Sequence, residues 1–135
     1  MITRRKAVLN SLAIGFFMGL LPASAAPRRS RAMQALDADN DGTVDLEEAK
    51  KAASTVFDRL DRDHDGTLDR RELRGRLRPA QFAAADPDKD GTVSKDEYLK
   101  IVEDRFKAAD RDNDGTLDDN ELRSRAGRAL LRLLQ

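Results

Sequence analysis

The chain has 135 residues, enough for one small domain, and it contains no cysteine, which excludes disulfides and thiolate metal sites. Lysine plus arginine equals aspartate plus glutamate at 25 each, so the excess basic charge of a nucleic-acid-binding protein is absent. One histidine and no glycine-rich phosphate loop give no catalytic constellation, and we expect no enzyme.

Residues 1–25 have the features of a bacterial export signal. Arg4, Arg5 and Lys6 precede a mostly apolar stretch over 7–21, and the small residues 23–25 (Ala-Ser-Ala) form a cleavage motif. The apolar stretch is short for a membrane anchor. We expect cleavage after residue 25, one domain over 26–135, and a periplasmic or secreted protein without membrane contact. The general secretory and twin-arginine routes both stay open.

Four twelve-residue segments repeat one pattern of acidic residues around a glycine. They are loop 1 (37–48, DADNDGTVDLEE), loop 2 (61–72, DRDHDGTLDRRE), loop 3 (86–97, DPDKDGTVSKDE) and loop 4 (110–121, DRDNDGTLDDNE). This is the spacing of an EF-hand loop, which surrounds a hard cation with oxygen ligands. Asx-rich turns are the plainer interpretation of one such segment, but four complete matches favour metal loops.

Each position in the loop has a chemical role. Carboxylates at positions 1, 3 and 5 converge, the glycine at 6 permits a positive φ, and position 7 offers its main-chain carbonyl. Position 9 acts directly or through water, and the glutamate at 12 supplies two oxygens. The predicted metal ligands are Asp37, Asp39, Asp41, Thr43, Asp45 and Glu48; Asp61, Asp63, Asp65, Thr67, Asp69 and Glu72; Asp86, Asp88, Asp90, Thr92, Ser94 and Glu97; and Asp110, Asp112, Asp114, Thr116, Asp118 and Glu121.

The short steps between loops predict shared helices. The residues between consecutive loops are too few for each loop to have its own entering helix and its own exiting helix. One continuous helix should therefore leave loop 1 and reach loop 2. Apolar residues at spacings of three and four from Leu46 to Leu60, and from Tyr98 to Ala109, support this interpretation. Met33 and Leu36 predict a short helix before loop 1.

The remaining connections complete a small bundle. Gly75 and Pro79 predict two short helices that meet at a corner near Arg78, and residues 119–134 predict a third main helix. The corner brings loop 2 beside loop 3 and loop 1 beside loop 4, with position 8 of each loop in a short β-contact. The expected fold is all-α, a compact bundle of about three main helices with minimal β-bridges.

The charge of the loops implies a multivalent cofactor. Nineteen of the predicted ligands are carboxylates, which repel one another at short range. We expect up to four Ca²⁺ or trivalent lanthanide ions, with folding coupled to their binding.

The four loops, the short helices between them, and the phrases DPDKDG at 86–91, KDEYL at 95–99 and RFKAAD at 105–110 resemble lanmodulin, a periplasmic lanthanide-binding branch of the EF-hand superfamily. The resemblance covers nearly the whole chain. It implies a compact three-helix bundle with paired loops and a preference for lanthanides over Ca²⁺. The proline that this family has at loop position 2 is present here only as Pro87, in loop 3.

Three functions remain open at this stage. The first is metal capture or transport, the second is a calcium buffer or sensor that engages a periplasmic protein partner, and the third is a structural adaptor held together by its metals. A monomer and a metal-dependent dimer are both compatible with the sequence. The arginine run from Arg70 to Arg78 is interpreted as a solvated face, with docking on an anionic partner as the alternative.

Overall fold

The computed structural model describes residues 29–135, so the predicted export signal and its cleavage site lie outside the described residues. The helices are α1 (Arg31–Leu36), α2 (Leu46–Leu60), α3 (Pro79–Ala85), α4 (Lys95–Ala109), α5 (Asp119–Arg123) and α6 (Arg125–Leu134). The strands are β1 (Val44–Asp45), β2 (Thr67–Leu68), β3 (Val93–Ser94) and β4 (Thr116–Leu117). None of the helices over 29–135 is long and apolar enough to span a bilayer. The predicted all-α class with minimal β-bridges is confirmed.

The two long shared helices, α2 and α4, have 15 residues each and start at side-chain caps. The Asp45 carboxylate accepts the N–H of Glu48 at 2.7 Å, and the Glu48 carboxylate accepts the N–H of Asp45 at 3.1 Å. Ser94 and Glu97 form the equivalent capping box before α4. Because the glutamate of each box is also position 12 of its loop, the start of the helix fixes the last predicted ligand.

The helices α2 and α4 run antiparallel. Lys50 near the start of α2 pairs with Glu103 in the second half of α4 at 3.4 Å. Lys95 at the start of α4 pairs with Asp58 near the end of α2 at 2.9 Å. Each loop pair therefore lies at one end of the two helices, as the sequence predicts.

The helix α6 packs on both α2 and α4 and completes the core. Its Leu130 and Leu133 are fully buried, as is Tyr98 of α4. The Tyr98 hydroxyl donates to the main-chain carbonyl of Leu133 at 2.8 Å, so the polar group of this core residue is satisfied.

The four loops join in two pairs through their position 8 residues. Val44 of loop 1 lies opposite Leu117 of loop 4, and Leu68 of loop 2 lies opposite Val93 of loop 3. All four side chains are fully buried. The predicted pairing of loops is confirmed, and it links each pair of sites through two backbone segments.

The predicted helix between loop 2 and the corner is wrong. Residues 70–76 form consecutive turns, in which the N–H of Arg76 donates to the carbonyl of Leu73 at 3.0 Å. Gly75 adopts a φ of 84°, a left-handed conformation that ends helical geometry. The second helix of the corner, α3, begins at Pro79 as expected.

The third main helix is divided, which corrects the prediction of one helix over 119–134. Ser124 has a ψ of 170°, so it ends α5, and its hydroxyl then accepts the N–H of Gly127 at 3.0 Å to start α6. A Cβ at Gly127 would lie 2.1 Å from the carbonyl oxygen of Glu121 and 2.5 Å from that of Leu122. The two helices therefore meet backbone to backbone.

Candidate metal centre

The tight curvature of each loop depends on two residues with positive φ. At position 6 these are the expected glycines, with φ between 85° and 99°. At position 4 they are non-glycine residues with φ between 58° and 63°, which is the left-handed helical region. The position 4 residues are Asn40, His64, Lys89 and Asn113. The main chain thereby turns its N–H groups toward the carboxylate at position 1.

This turn is closed by the same hydrogen bond in all four loops. The glycine N–H at position 6 donates to one oxygen of the aspartate at position 1, at 3.0 Å each time. In loops 1–3 that aspartate is more than nine-tenths buried, with exposed fractions of 4%, 8% and 7% for Asp37, Asp61 and Asp86. A buried carboxylate requires compensation by donors or by a cation.

Three carboxylates converge in each loop, from positions 1, 3 and 12. One oxygen from each residue lies within 4.8 Å of the others. The groups are Asp37, Asp39 and Glu48; Asp61, Asp63 and Glu72; Asp86, Asp88 and Glu97; and Asp110, Asp112 and Glu121. Like charges at this separation repel, and an all-oxygen carboxylate set suits hard cations.

Two buried oxygens in these groups have no hydrogen-bond partner within the protein. The Oδ1 atoms of Asp37 and Asp110 are buried and accept no hydrogen bond, whereas Oδ2 of each accepts the glycine N–H. Buried acceptors are nearly always satisfied, so an unsatisfied carboxylate oxygen in an acidic cluster needs an explanation. A cation ligated by that oxygen provides one, and the donor set of the loops therefore fits Ca²⁺ or a lanthanide.

The predicted ligands at positions 5 and 7 bond to each other outside the three-carboxylate groups. In every loop Oδ1 of the aspartate accepts both the N–H and the hydroxyl of the threonine, at 2.8 Å each. These pairs are Asp41 with Thr43, Asp65 with Thr67, Asp90 with Thr92, and Asp114 with Thr116. Their ligand roles stay predictions.

The position 9 residues lie at helix starts in loops 1, 3 and 4, and at the start of the turns over 70–76 in loop 2. Asp45, Asp69, Ser94 and Asp118 each accept the N–H of the glutamate at position 12. These hydrogen bonds hold the side chains close to the loop but outside the three-carboxylate groups, so their ligand roles also stay predictions.

Proline changes the surroundings of the position 12 glutamate in loop 3. In the other loops Oε1 of this glutamate accepts the N–H of position 2, at 2.7 Å for Glu48, 3.0 Å for Glu72 and 2.8 Å for Glu121. Pro87 has no N–H, and the hydrogen bonds to Glu97 go to Oε2, from Ser94. Loop 3 therefore offers Oε1 of Glu97 without a competing donor.

The pKa values within the loops diverge according to local donors. A hydrogen bond from the Thr43 hydroxyl, supported by the Thr43 N–H, lowers the pKa of Asp41, and Thr92 lowers the pKa of Asp90 in the same way. Desolvation raises the pKa of Asp63, and repulsion by neighbouring carboxylates adds to this rise.

The other two position 3 aspartates outside loop 1 follow Asp63. The N–H of Asp90 lowers the pKa of Asp88, but a shared hydrogen bond with Asp86, desolvation and nearby acids together outweigh it. For Asp112, the N–H of Asp114 lowers the pKa, but desolvation and three neighbouring carboxylates outweigh it, so the pKa is raised. At position 3 of loops 2, 3 and 4, desolvation and neighbouring carboxylates thus both disfavour the charged form, which a bound cation would stabilise.

Comparison with known proteins identifies this arrangement. The sequence profile described as EF hand matches residues 30–51, 53–75, 77–102 and 101–124. The chain belongs to the EF-hand family. No curated protein matches this EF-hand chain. Among solved structures it is similar to a homolog of programmed cell death 6 protein from Leishmania major Friedlin, at 16% identity and a TM-score of 0.30, over 78% of this chain and 91% of that chain.

The family and the geometry agree on the chemistry. Each matched segment contains one acidic loop, and each loop gathers carboxylate oxygens of the kind that bind Ca²⁺ and similar ions. This EF-hand protein therefore has up to four candidate metal centres, arranged in two pairs.

Sequence reasoning missed an arginine side chain that contacts loop 1. Arg29 precedes α1, and its guanidinium pairs with Oδ2 of Asp37 at 2.9 Å and donates to the carbonyl of Asn40 at 3.3 Å. Among the described residues, this is the one ion pair to a predicted ligand. Only a weak signal, the proximity of Arg29 to loop 1 in sequence, pointed to it.

Proposed function

We propose that this EF-hand protein captures and carries multivalent cations, binding up to four Ca²⁺ or trivalent lanthanide ions, with lanthanides as the favoured cargo. The observation that carries the proposal is the pair of buried, unpartnered oxygens on Asp37 and Asp110 within three-carboxylate groups. The chemistry is binding rather than catalysis, in keeping with the family.

The density of charge favours the trivalent cargo. Loops 1, 2 and 4 each carry five predicted carboxylate ligands and loop 3 carries four. A divalent ion leaves each loop with two or three uncompensated negative charges, and a trivalent ion leaves one or two. Because lanthanides resemble Ca²⁺ in size and prefer the same oxygens, the added charge is the principal difference between the ions at these sites.

Metal binding is proposed to stabilise the fold. The core depends on few large side chains, and four groups of repelling carboxylates oppose the compact state in the absence of ions. Binding free energy then contributes directly to folding free energy. Helicity measured by circular dichroism during metal titration should rise until the loops are saturated, and unchanged helicity would contradict the coupling.

A competitive titration tests the choice of ion. La³⁺ is added to the Ca²⁺-saturated protein, and displacement is followed by calorimetry; a preference for La³⁺ below about a hundredfold, roughly 2.7 kcal/mol, removes the lanthanide proposal and leaves calcium binding.

Within loop 3, Asp86→Asn should weaken binding at that loop, because it removes charge from the three-carboxylate group. Asp96→Asn is the matched control, since Asp96 is exposed in the same loop and lies outside that group.

A calcium buffer or sensor is the second candidate function. Ser94 leaves loop 3 with four predicted carboxylate ligands, one fewer than each of the other loops, which favours a divalent ion at that centre. As a sensor, the protein would bind a periplasmic partner in a metal-dependent manner. Affinity capture from periplasmic extract with Ca²⁺ and with chelator tests this, and equal recovery under both conditions argues against a sensor.

Export to the periplasm or cell exterior remains part of the proposal and rests on the sequence of residues 1–25. Mass spectrometry of the protein recovered from its native compartment should give an N-terminus at Ala26. Sedimentation with and without metal distinguishes a monomer from a metal-dependent dimer.

A further inference from the structure

A pocket rich in arginine lies against loop 2. It has a volume of about 400 Å³, and its cationic lining consists of Arg62, Arg71, Arg74 and Arg76, which we name the arginine pocket. The turns over 70–76, which replace the predicted helix, place the last three of these residues beside Arg62 of the loop. The arginine run of the sequence is thus folded into a concave surface.

Three of the four arginines of the pocket are available for a ligand. Over residues 29–135, the side chains of Arg62, Arg71 and Arg74 make no hydrogen bond or ion pair; only the main-chain N–H groups of Arg62 and Arg71 donate to side chains. Arg76 is held in place by donating to the main-chain oxygens of Arg132 and Gln135. Guanidinium groups without carboxylate partners retain all their donors for an oxyanion.

Two predicted ligands of loop 2 form the acidic side of the pocket. Glu72 accepts the N–H groups of Arg62 and Asp69 at 3.0 Å each, and Asp69 accepts the N–H of Arg71 at 2.6 Å. Both carboxylates are therefore engaged with the main chain of the loop. Four guanidinium groups against two carboxylates leave an excess of two positive charges, which matches a dianion.

The corresponding pocket beside loop 4 shows that an excess of positive charge in the lining is not a general property of the loops. It has a volume of about 360 Å³, and its charged lining is Arg111 with three carboxylates, while Asn120 takes the position that Arg71 has in loop 2. The arginine that corresponds to Arg74 is Arg123, and it is paired with Asp119. Of these two pockets, only the one beside loop 2 has an excess of cationic groups.

We propose that the arginine pocket binds a phosphate group, and that metal in loop 2 strengthens this binding. A tetrahedral phosphate dianion offers oxygens in several directions and can engage more than two guanidinium forks, as a single carboxylate cannot. A cation ligated by Asp69 and Glu72 compensates the two negative charges in the lining and raises the attraction for an anion. This coupling rests on the proposed function, and by linkage phosphate must raise the metal affinity of loop 2 by the same factor.

Calorimetry with glycerol phosphate as the probe tests the proposal. The Ca²⁺-saturated protein should bind the probe saturably, and the metal-free protein should bind it more weakly. Arg71→Gln and Arg74→Gln should each weaken binding about tenfold, the value of one charge-assisted hydrogen-bond pair. Arg111→Gln is the matched control beside loop 4 and should leave binding unchanged. Absence of saturable binding, or an equal loss in the control, overturns the inference.

Two further measurements identify the source of the phosphate and separate the two proposals. Sedimentation with phosphatidylcholine vesicles, with and without phosphatidic acid, shows whether a lipid headgroup enters the pocket. If vesicle binding resists competition by glycerol phosphate and survives Arg74→Gln, the lipid does not bind through the arginine pocket. Ca²⁺ titration of each variant provides the separation. Normal Ca²⁺ binding that is insensitive to glycerol phosphate refutes the arginine pocket alone, whereas absent Ca²⁺ binding refutes the proposed function.

Discussion

Replacement of Gly127 by alanine should disrupt both the fold and the fourth metal centre. The added Cβ would lie 2.1 Å from the carbonyl oxygen of Glu121 and 2.6 Å from Cα of Leu122, both of which are main-chain atoms of α5. Restoring ordinary contact requires α5 and α6 to separate by about 1 Å. Overpacking of this kind costs about 3 kcal/mol when backbone must move. For a domain of this size the Tm should fall by about 10 °C or more.

The damage should extend to loop 4, because Glu121 is its position 12 residue. Displacing the Glu121 main chain moves its carboxylate relative to Asp110 and Asp112, with which it shares a three-carboxylate group. We expect the Ca²⁺ affinity of loop 4 to fall, with loops 2 and 3 little changed.

Thermal denaturation of the metal-saturated protein and site-resolved Ca²⁺ titration measure these effects. Gly75→Ala is the comparison, since a Cβ there has no neighbour within 4 Å and meets only the strain of a φ of 84°. It should cost about 1–2 kcal/mol and leave loop 4 unaffected. If Gly127→Ala is no more destabilising than Gly75→Ala, the backbone contact between α5 and α6 is not as described.

Three further substitutions test single groups. Burial raises the pKa of Tyr98 from 10.0 to about 12, so the protonated phenol stabilises the fold fully below pH 10 and this contribution is lost as the pH rises through that interval. Tyr98→Phe should lower the free energy of unfolding by about 1 kcal/mol at neutral pH. It should also reduce the loss of that free energy above pH 10, measured by urea denaturation at several pH values; an unchanged dependence on pH argues against a role for the Tyr98 phenol. Pro87→Ala introduces an N–H that can bond Glu97, as in the other loops, and should weaken metal binding by loop 3 about fivefold in calorimetry; stronger binding would contradict this account. Arg29→Gln removes a cation that competes at Asp37, so loop 1 should bind Ca²⁺ more tightly at low salt, and no change would show that the pair is fully screened.

The repeated parts of the fold were predictable because one local pattern determines them. The spacing of loops and apolar residues specified α2, α4 and the pairing of Val44 with Leu117 and of Leu68 with Val93. Each of these features depends on residues within a few turns of chain or on the symmetry between repeats.

The features that sequence reasoning missed depend on tertiary contact or on one residue with a dual role. Ser124 can continue a helix or end one, and the close approach of α5 at Gly127 decides between these in favour of a break. Likewise, the turns around Gly75 bring Arg74 and Arg76 into a pocket with Arg62, where the sequence alone indicated a solvated face. The ligand roles at all six loop positions remain predictions, although the carboxylates at positions 1, 3 and 12 do lie close together.

In α2 and α4, the position 12 glutamate of one loop and the position 1 aspartate of the next lie at opposite ends of a single helix. Glu48 starts α2 and belongs to loop 1, while Asp61, the first residue of loop 2, donates its N–H to Phe57 in the last turn of the same helix. Glu48 of loop 1 and Asp61 of loop 2 are therefore joined by one uninterrupted helix of 15 residues. The separation between the first and second candidate metal centres is thus set by the length of a single helix.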